Sequence, residues 1–301
     1  MRKRLSSFIA AAPTVILLCV CLLFGVDLGL VSAHILLDQA LLLIPAALSC
    51  AIQLLCGYFN LALGGQISLL ATLSGLMFLK LSIPLPWIIL LIAALCLLFG
   101  LLYSLVESMT GPAFGFVSFG LLYLFSGASS ILHDVWLFDY STLALEARPM
   151  QLDALWTGIA CMALAAAFMN LTVYGRSLPL LRHRYLSGTQ QINTRSLRRI
   201  AFCSSSLLTG VTSLLLFMRT APVHSYNGMN LTFNIFSALA IGNGLSVTRR
   251  NFWLRALIGC VGLSLLTLVE YKLNLSPQAG YIISGLFLIV AGAARTISGK
   301  D

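Results

Sequence analysis

Charge is what this sequence has least of. Only 9% of its 301 residues are Asp, Glu, Lys or Arg while 59% are hydrophobic, against roughly 25% charged in a soluble globular domain. No polar stretch is long enough to fold as a separate soluble domain. The expectation is one transmembrane domain over residues 1–301. Metal-ligand spacing is also missing. The eight cysteines (Cys19, Cys21, Cys50, Cys56, Cys96, Cys161, Cys203 and Cys260) all lie inside apolar runs, with no pair beside a histidine, and read as small packing residues. His34, His133, His183 and His224 share no spacing, so neither a metal site nor a catalytic cluster emerges.

A phosphate loop of the form G-x-x-x-x-G-K-[ST] is lacking too. The nearest stretch, "GAARTISGKD", has the wrong spacing and no Ser or Thr after Lys300. The chain is therefore expected not to be an enzyme and to carry no cofactor of its own; ATP for active transport would be bound by a separate subunit. Ionisable residues inside the apolar runs are few. Glu107 and Glu270 each end a run and read as snorkelling carboxylates.

What is present is a series of apolar runs close to the ~20 residues needed to cross a bilayer. Hydropathy and breakers place spans near 8–27, 35–56, 61–80, 85–106, 112–132, 154–174, 200–218, 231–247, 252–271 and 278–294. The first follows "MRKR" and is longer than a signal-peptide core, so it reads as a retained span. Ten spans from a cytoplasmic N-terminus put fourteen of the eighteen Lys and Arg on the inside, leaving out Lys80, Arg148, Arg219 and Lys272. That distribution is what membrane orientation requires. The expected fold is an all-α polytopic bundle of about ten transmembrane helices with both termini cytoplasmic. Orientation also accounts for the net charge of +9, with no nucleic acid among the partners.

Two runs are interrupted. "GYFNLALGGQ" at 57–66 sets an aromatic pair, Asn60, Gly64, Gly65 and Gln66 between two apolar segments. Backbone that leaves the helix at membrane depth needs protein or a water-filled cavity to satisfy it, so this break marks a candidate translocation path. Close packing of small residues is the other reading of the two glycines. "NGMNLTFNIFSALAIGNG" at 227–244 is a second short segment, with Asn230 and Asn234 among its polar residues. Interrupted segments in corresponding halves point to a transporter with a weak internal repeat. The candidate path lining is Asn60, Gly64, Gly65, Gln66, Asn230 and Asn234. The longest basic inner loop, 175–199, is where an energy-supplying subunit would dock.

These stretches also resemble a family. "GYFNLALGGQISLLATLSG" at 57–75 is similar to the start of the third span in bacterial ABC-importer permeases of the ribose, nucleoside and branched-chain amino acid type. "RYLSGTQQINTRSLRRIAFCSSSLLTGVTSLLLF" at 184–217 resembles their cytoplasmic loop and next span. "YNGMNLTFNIFSALAIGNGL" at 226–245 and "LNLSPQAGYIISGLFLIVAGAAR" at 273–295 resemble their later segments. The resemblance implies a permease subunit in a bacterial inner membrane, paired with a second permease (the same or a different chain), two cytoplasmic ATP-binding subunits and an extracytoplasmic solute-binding protein. It also implies that Gly188, Thr189, Gln190, Gln191, Ile192 and Asn193 lie at the ATPase contact. The sequence departs from the family in a compressed loop, "SGTQQINTRSLRR", and a reduced glycine turn, "IGNGLSVTRRN". Two other readings compete with this one. An ion-coupled secondary transporter would need a coupling-ion site, which scarce carboxylates argue against. A membrane-embedded transferase using His133 and Asp134 would need an acceptor site.

Overall fold

The computed structural model describes residues 30–136, 154–182, 193–220, 228–242 and 252–272, with 282, 285, 286 and 289 beyond them. The predicted spans 8–27 and 278–294 lie outside these apart from the last four positions. The remaining eight each fall on a helix. In chain order the helices are α1 (Leu30–Leu55), α2 (Leu63–Leu79), α3 (Leu85–Thr110), α4 (Phe114–Trp136), α5 (Ala154–Leu171) with a short α6 (Val173–Ser177) at the end of the same predicted span, α7 (Thr194–Thr220), α8 (Gly228–Ile241) and α9 (Phe252–Lys272). Among the described residues there is no strand. This is an all-α membrane protein: the stretches Leu85–Val135, Thr194–Met218 and Phe252–Glu270 are each long and apolar enough to cross a bilayer.

The stretch 85–135 folds back on itself. Gly111, at φ 54°, ends α3, and Pro112 opens the 3-10 turn that leads into α4. Phe99 and Phe125 then meet edge to face at 5.1 Å, whereas 26 residues of continuous helix would hold them about 39 Å apart. The expected span 154–174 is bent as well. Thr172 caps a new helix by accepting from the Gly175 N–H, and the two arms stand 75° apart.

α1 closes on a left-handed glycine. Gly57 has φ 82°; its N–H donates to the Leu54 carbonyl and that of Tyr58 to the Gln53 carbonyl, the paired bonds of a Schellman stop. The chain then runs without helix to Leu63.

Side-chain contacts give the helix directions. α7 runs alongside α2, since Gln66 meets Ser206 near the start of α2 and Phe78 meets Phe217 near its end. α3 runs opposite to α7, Gly100 lying against Cys203 and Gly210 against Cys96. α8 is 14 residues long, about 21 Å and short of the ~30 Å hydrocarbon core. Gly228, where α8 begins, packs on Gly65, and the ring of Phe236, two turns on, lies tilted against that of Phe59 at 4.8 Å. α8 thus starts within the bundle beside the first turn of α2 and descends antiparallel to it. α9 returns along it, Gly259 pressed on Ala238 and Gly242 on Arg255.

Candidate functional site

Residues 57–65 and the start of α8 form one polar junction. The backbone released by the break is satisfied mostly from other helices. Asn60 Oδ1 accepts from the Ala62 N–H at 2.9 Å. The Leu61 N–H donates to Ser118 Oγ of α4 at 3.0 Å. Thr232 of α8 serves both sides of the break, its hydroxyl accepting from the Gly64 N–H at 3.1 Å and lying 3.1 Å from the Leu61 carbonyl. Replacing Thr232 by Val keeps the shape and strands the Gly64 donor, so a loss of about 1–3 kcal/mol is expected in the unfolding free energy. An unchanged free energy in detergent would remove Thr232 from the junction.

The glycines here carry a close crossing. A Cβ on Gly64 would strike the Gly228 carbonyl and Thr232, and one on Gly65 would come within 2.8 Å of the Leu122 carbonyl. Small-residue packing is thus realised at both positions.

Above the junction the interior stays polar without being charged. Ser68 Oγ donates to Ser129 Oγ at 2.8 Å, Ser129 and Thr72 Oγ1 are 2.8 Å apart, and Thr72 returns a proton to the Ser68 carbonyl at 3.0 Å. Beside it, Gln66 Nε2 donates to Ser206 Oγ at 2.6 Å and Gln53 Nε2 to Ser205 Oγ at 2.5 Å. Ser49 closes the set at 2.8 Å from Ser205. Asn60 Nδ2, Gln53 Oε1 and Gln66 Oε1 are buried without a hydrogen-bond partner. A groove of about 530 Å³ opens next to the break, lined by Gly57, Tyr58, Phe59, Gly111, Phe114 and Phe116 among others.

The sequence-predicted residues therefore separate into two groups. Asn60, Gly64, Gly65 and Gln66 are gathered and buried. Asn230 and Asn234 are half-buried and lie one turn apart on a stripe of α8 nearly opposite the Gly228 and Thr232 stripe that meets α2. Of the residues assigned to the ATPase contact, Gly188, Thr189, Gln190, Gln191 and Ile192 lie outside the described residues. Asn193 caps α7, its Oδ1 accepting from the Ser196 N–H at 3.3 Å.

One expectation is corrected. Glu107 is not a snorkelling carboxylate: it is 2% exposed, and its Oε2 lies 2.7 Å from Arg198 Nε at the start of α7. Packing of α3 against α7 leaves that carboxylate no route to water, so a cation comes to it. Sequence reasoning also missed Ser49, Gln53, Ser129, Ser205 and Ser206. For α7 the signal was there: Ser205, Thr209, Thr212 and Ser213 recur at helical spacing and fall on one buried face.

His133 Nδ1 and Asp134 Oδ1 are 3.3 Å apart at the end of α4, a pair of sequence neighbours. Comparison with family models, curated proteins and solved structures finds no match for this chain.

Proposed function

We propose that the chain is the permease subunit of a binding-protein-dependent ABC importer in a bacterial inner membrane, with about ten spans and both termini inside. The observation that carries this reading is the meeting of the break before α2 with the first turns of α8, at Gly228 and Thr232, inside the bundle. Broken helices whose ends meet at membrane depth are how transporters place polar backbone and side chains on a solute's route. The route runs along this junction, with Asn60, Gly64, Gly65 and Gln66 exposed as the helix starts part and Asn230 and Asn234 on the far side of α8. Amides and hydroxyls bond neutral solute groups without the cost of burying charge. On this reading residues 188–193 meet the cytoplasmic ATP-binding subunits, which hold the ATP. A second permease subunit completes the pore, and an external binding protein delivers solute. The chain performs no covalent chemistry.

The test is a pull-down of the full chain in mild detergent, with mass spectrometry and ATPase assay of the eluate. An ATP-hydrolysing subunit is expected, lost when residues 185–195 are deleted. A chain that elutes alone after gentle crosslinking overturns the reading and favours an ion-coupled carrier.

A further inference from the structure

The groove beside the break lies where α1 stops at Gly57, α3 stops at Gly111 and α4 begins at Phe114. Its walls combine glycines with rings. Gly57, Gly111 and Gly115 put no side chain into the space, while Tyr58 and Phe59 of the break face it with Phe116 of α4. A Cβ on Gly111 would meet nothing within 4 Å, and one on Gly115 would meet only Phe59, no closer than 3.7 Å.

A break in a helix normally shows polar backbone, yet here its donors are spent within the protein. The Gly57 and Tyr58 N–H groups go to carbonyls of α1, and the Leu61 N–H goes to Ser118. What remains toward the groove is mainly carbon. A water needs two to four polar partners, so apolar space of this kind does not hold it.

The groove is continuous with the bilayer-facing surface. Phe116 on its rim is 86% exposed, and Leu101, Leu105 and Met109, exposed at successive turns of α3, lead to Gly111. Hydrocarbon is the medium on that side, and a void left there would forfeit dispersion contacts along every wall. Size decides what fills it. One turn of α-helix, about 10 Å across and 5.4 Å long, already takes roughly 420 Å³, so a groove of about 530 Å³ is too small to seat a helix of a partner or of this chain. An alkyl chain fits: an apolar cavity of about 150 Å³ holds one benzene, which scales to roughly twenty carbons here.

We infer that this groove is a binding site for one acyl chain of a membrane phospholipid, which lies against Tyr58, Phe59 and Leu61 and so touches the break from the lipid side. The site is separate from the polar junction and does not depend on the importer reading. Its occupant rests on Phe59, whose ring lies against Phe236 of α8. Bilayer lipid thus reaches the junction through carbon contacts alone.

The experiment reconstitutes the full chain in phosphatidylethanolamine vesicles that carry a trace of the same lipid with a diazirine on one acyl chain. After illumination and digestion, crosslinked peptides are quantified by mass spectrometry. Crosslinks in 57–61 and 111–119 are expected to exceed those on the exposed stripe of α3 from Leu97 to Leu105 by about fivefold or more. Gly115→Leu, whose side chain would fill the groove toward Phe59, is expected to remove that excess. Gly120→Leu, on the same helix with open space around it and outside the groove, is expected to leave it. Equal labelling of the groove and the α3 stripe means bulk lipid only and overturns the inference, as does an unlabelled groove, whatever covers it. These two outcomes are read on the parent chain, so they decide even where Gly115→Leu fails to fold. An excess that survives in a folded Gly115→Leu overturns the inference as well.

Discussion

Arg198→Ala is expected to lower the stability of the chain by about 3–5 kcal/mol, because it leaves the Glu107 carboxylate, 2% exposed, with its charge and without its cation. Coulomb attraction within such a pair is largely offset by the cost of taking both groups out of water, so the pair adds little net stability. Its removal by halves is what is expensive. The double variant Glu107→Leu with Arg198→Met, which replaces both charges by apolar groups of similar size, is therefore expected to regain most of the loss. Chemical unfolding in one detergent, run on the parent, the single variant and the double variant, checks this. Equal midpoints for parent and single variant would mean that Glu107 reaches water after all.

Gly64→Ala is expected to cost about 3 kcal/mol or more, at the upper end of what overpacking does, because two of the atoms its methyl group would strike belong to the backbone of α8. A flexible side chain can yield; a helix start pinned between α2 and α4 cannot. Gly120→Ala supplies the contrast. Gly120 lies within α4 with open space where a Cβ would go, and the change is expected to be neutral or to stabilise by up to about 1 kcal/mol. Size-exclusion profiles and melting curves of the two variants side by side report the difference. If both behave alike, α2 and α8 do not cross as closely as Gly64 and Gly228 imply.

Much of this fold was legible because its causes are local. Apolar run length and breakers placed eight spans on helices, with ends up to about six residues off, and "FNLALGG" announced its own break. The bend at Thr172 was not legible, since a Thr in an apolar run usually stays helical and here becomes a cap. Nor was the role of Glu107, whose partner lies 91 positions away on a helix that only the packing of α3 on α7 brings near. The site was read by halves for the same reason. Asn60 and Gln66 stand beside a visible interruption, whereas Ser49, Gln53 and Ser129 sit in unbroken helices and acquire meaning only from what faces them. Asn230 and Asn234 drew notice as polar residues in an apolar segment. Helical phase then set them away from Thr232, which does bridge the break.

The hydroxyls of the interior have a property that static pairing conceals. Thr72, Ser74, Thr209, Ser213, Thr232 and Ser264 each have a carbonyl of their own helix, three or four residues back, within 3.0 Å, and Thr72 and Thr232 in addition meet Ser129 and the break. Such a donor keeps an acceptor when its neighbour slides away. Relative movement of these helices therefore need not leave a bare proton in hydrocarbon, as it would if amides alone lined the seam. Thr72 and Thr232 act as a lubricated bearing: they hold their helices against Ser129 and the break at rest and offer little friction when the register changes.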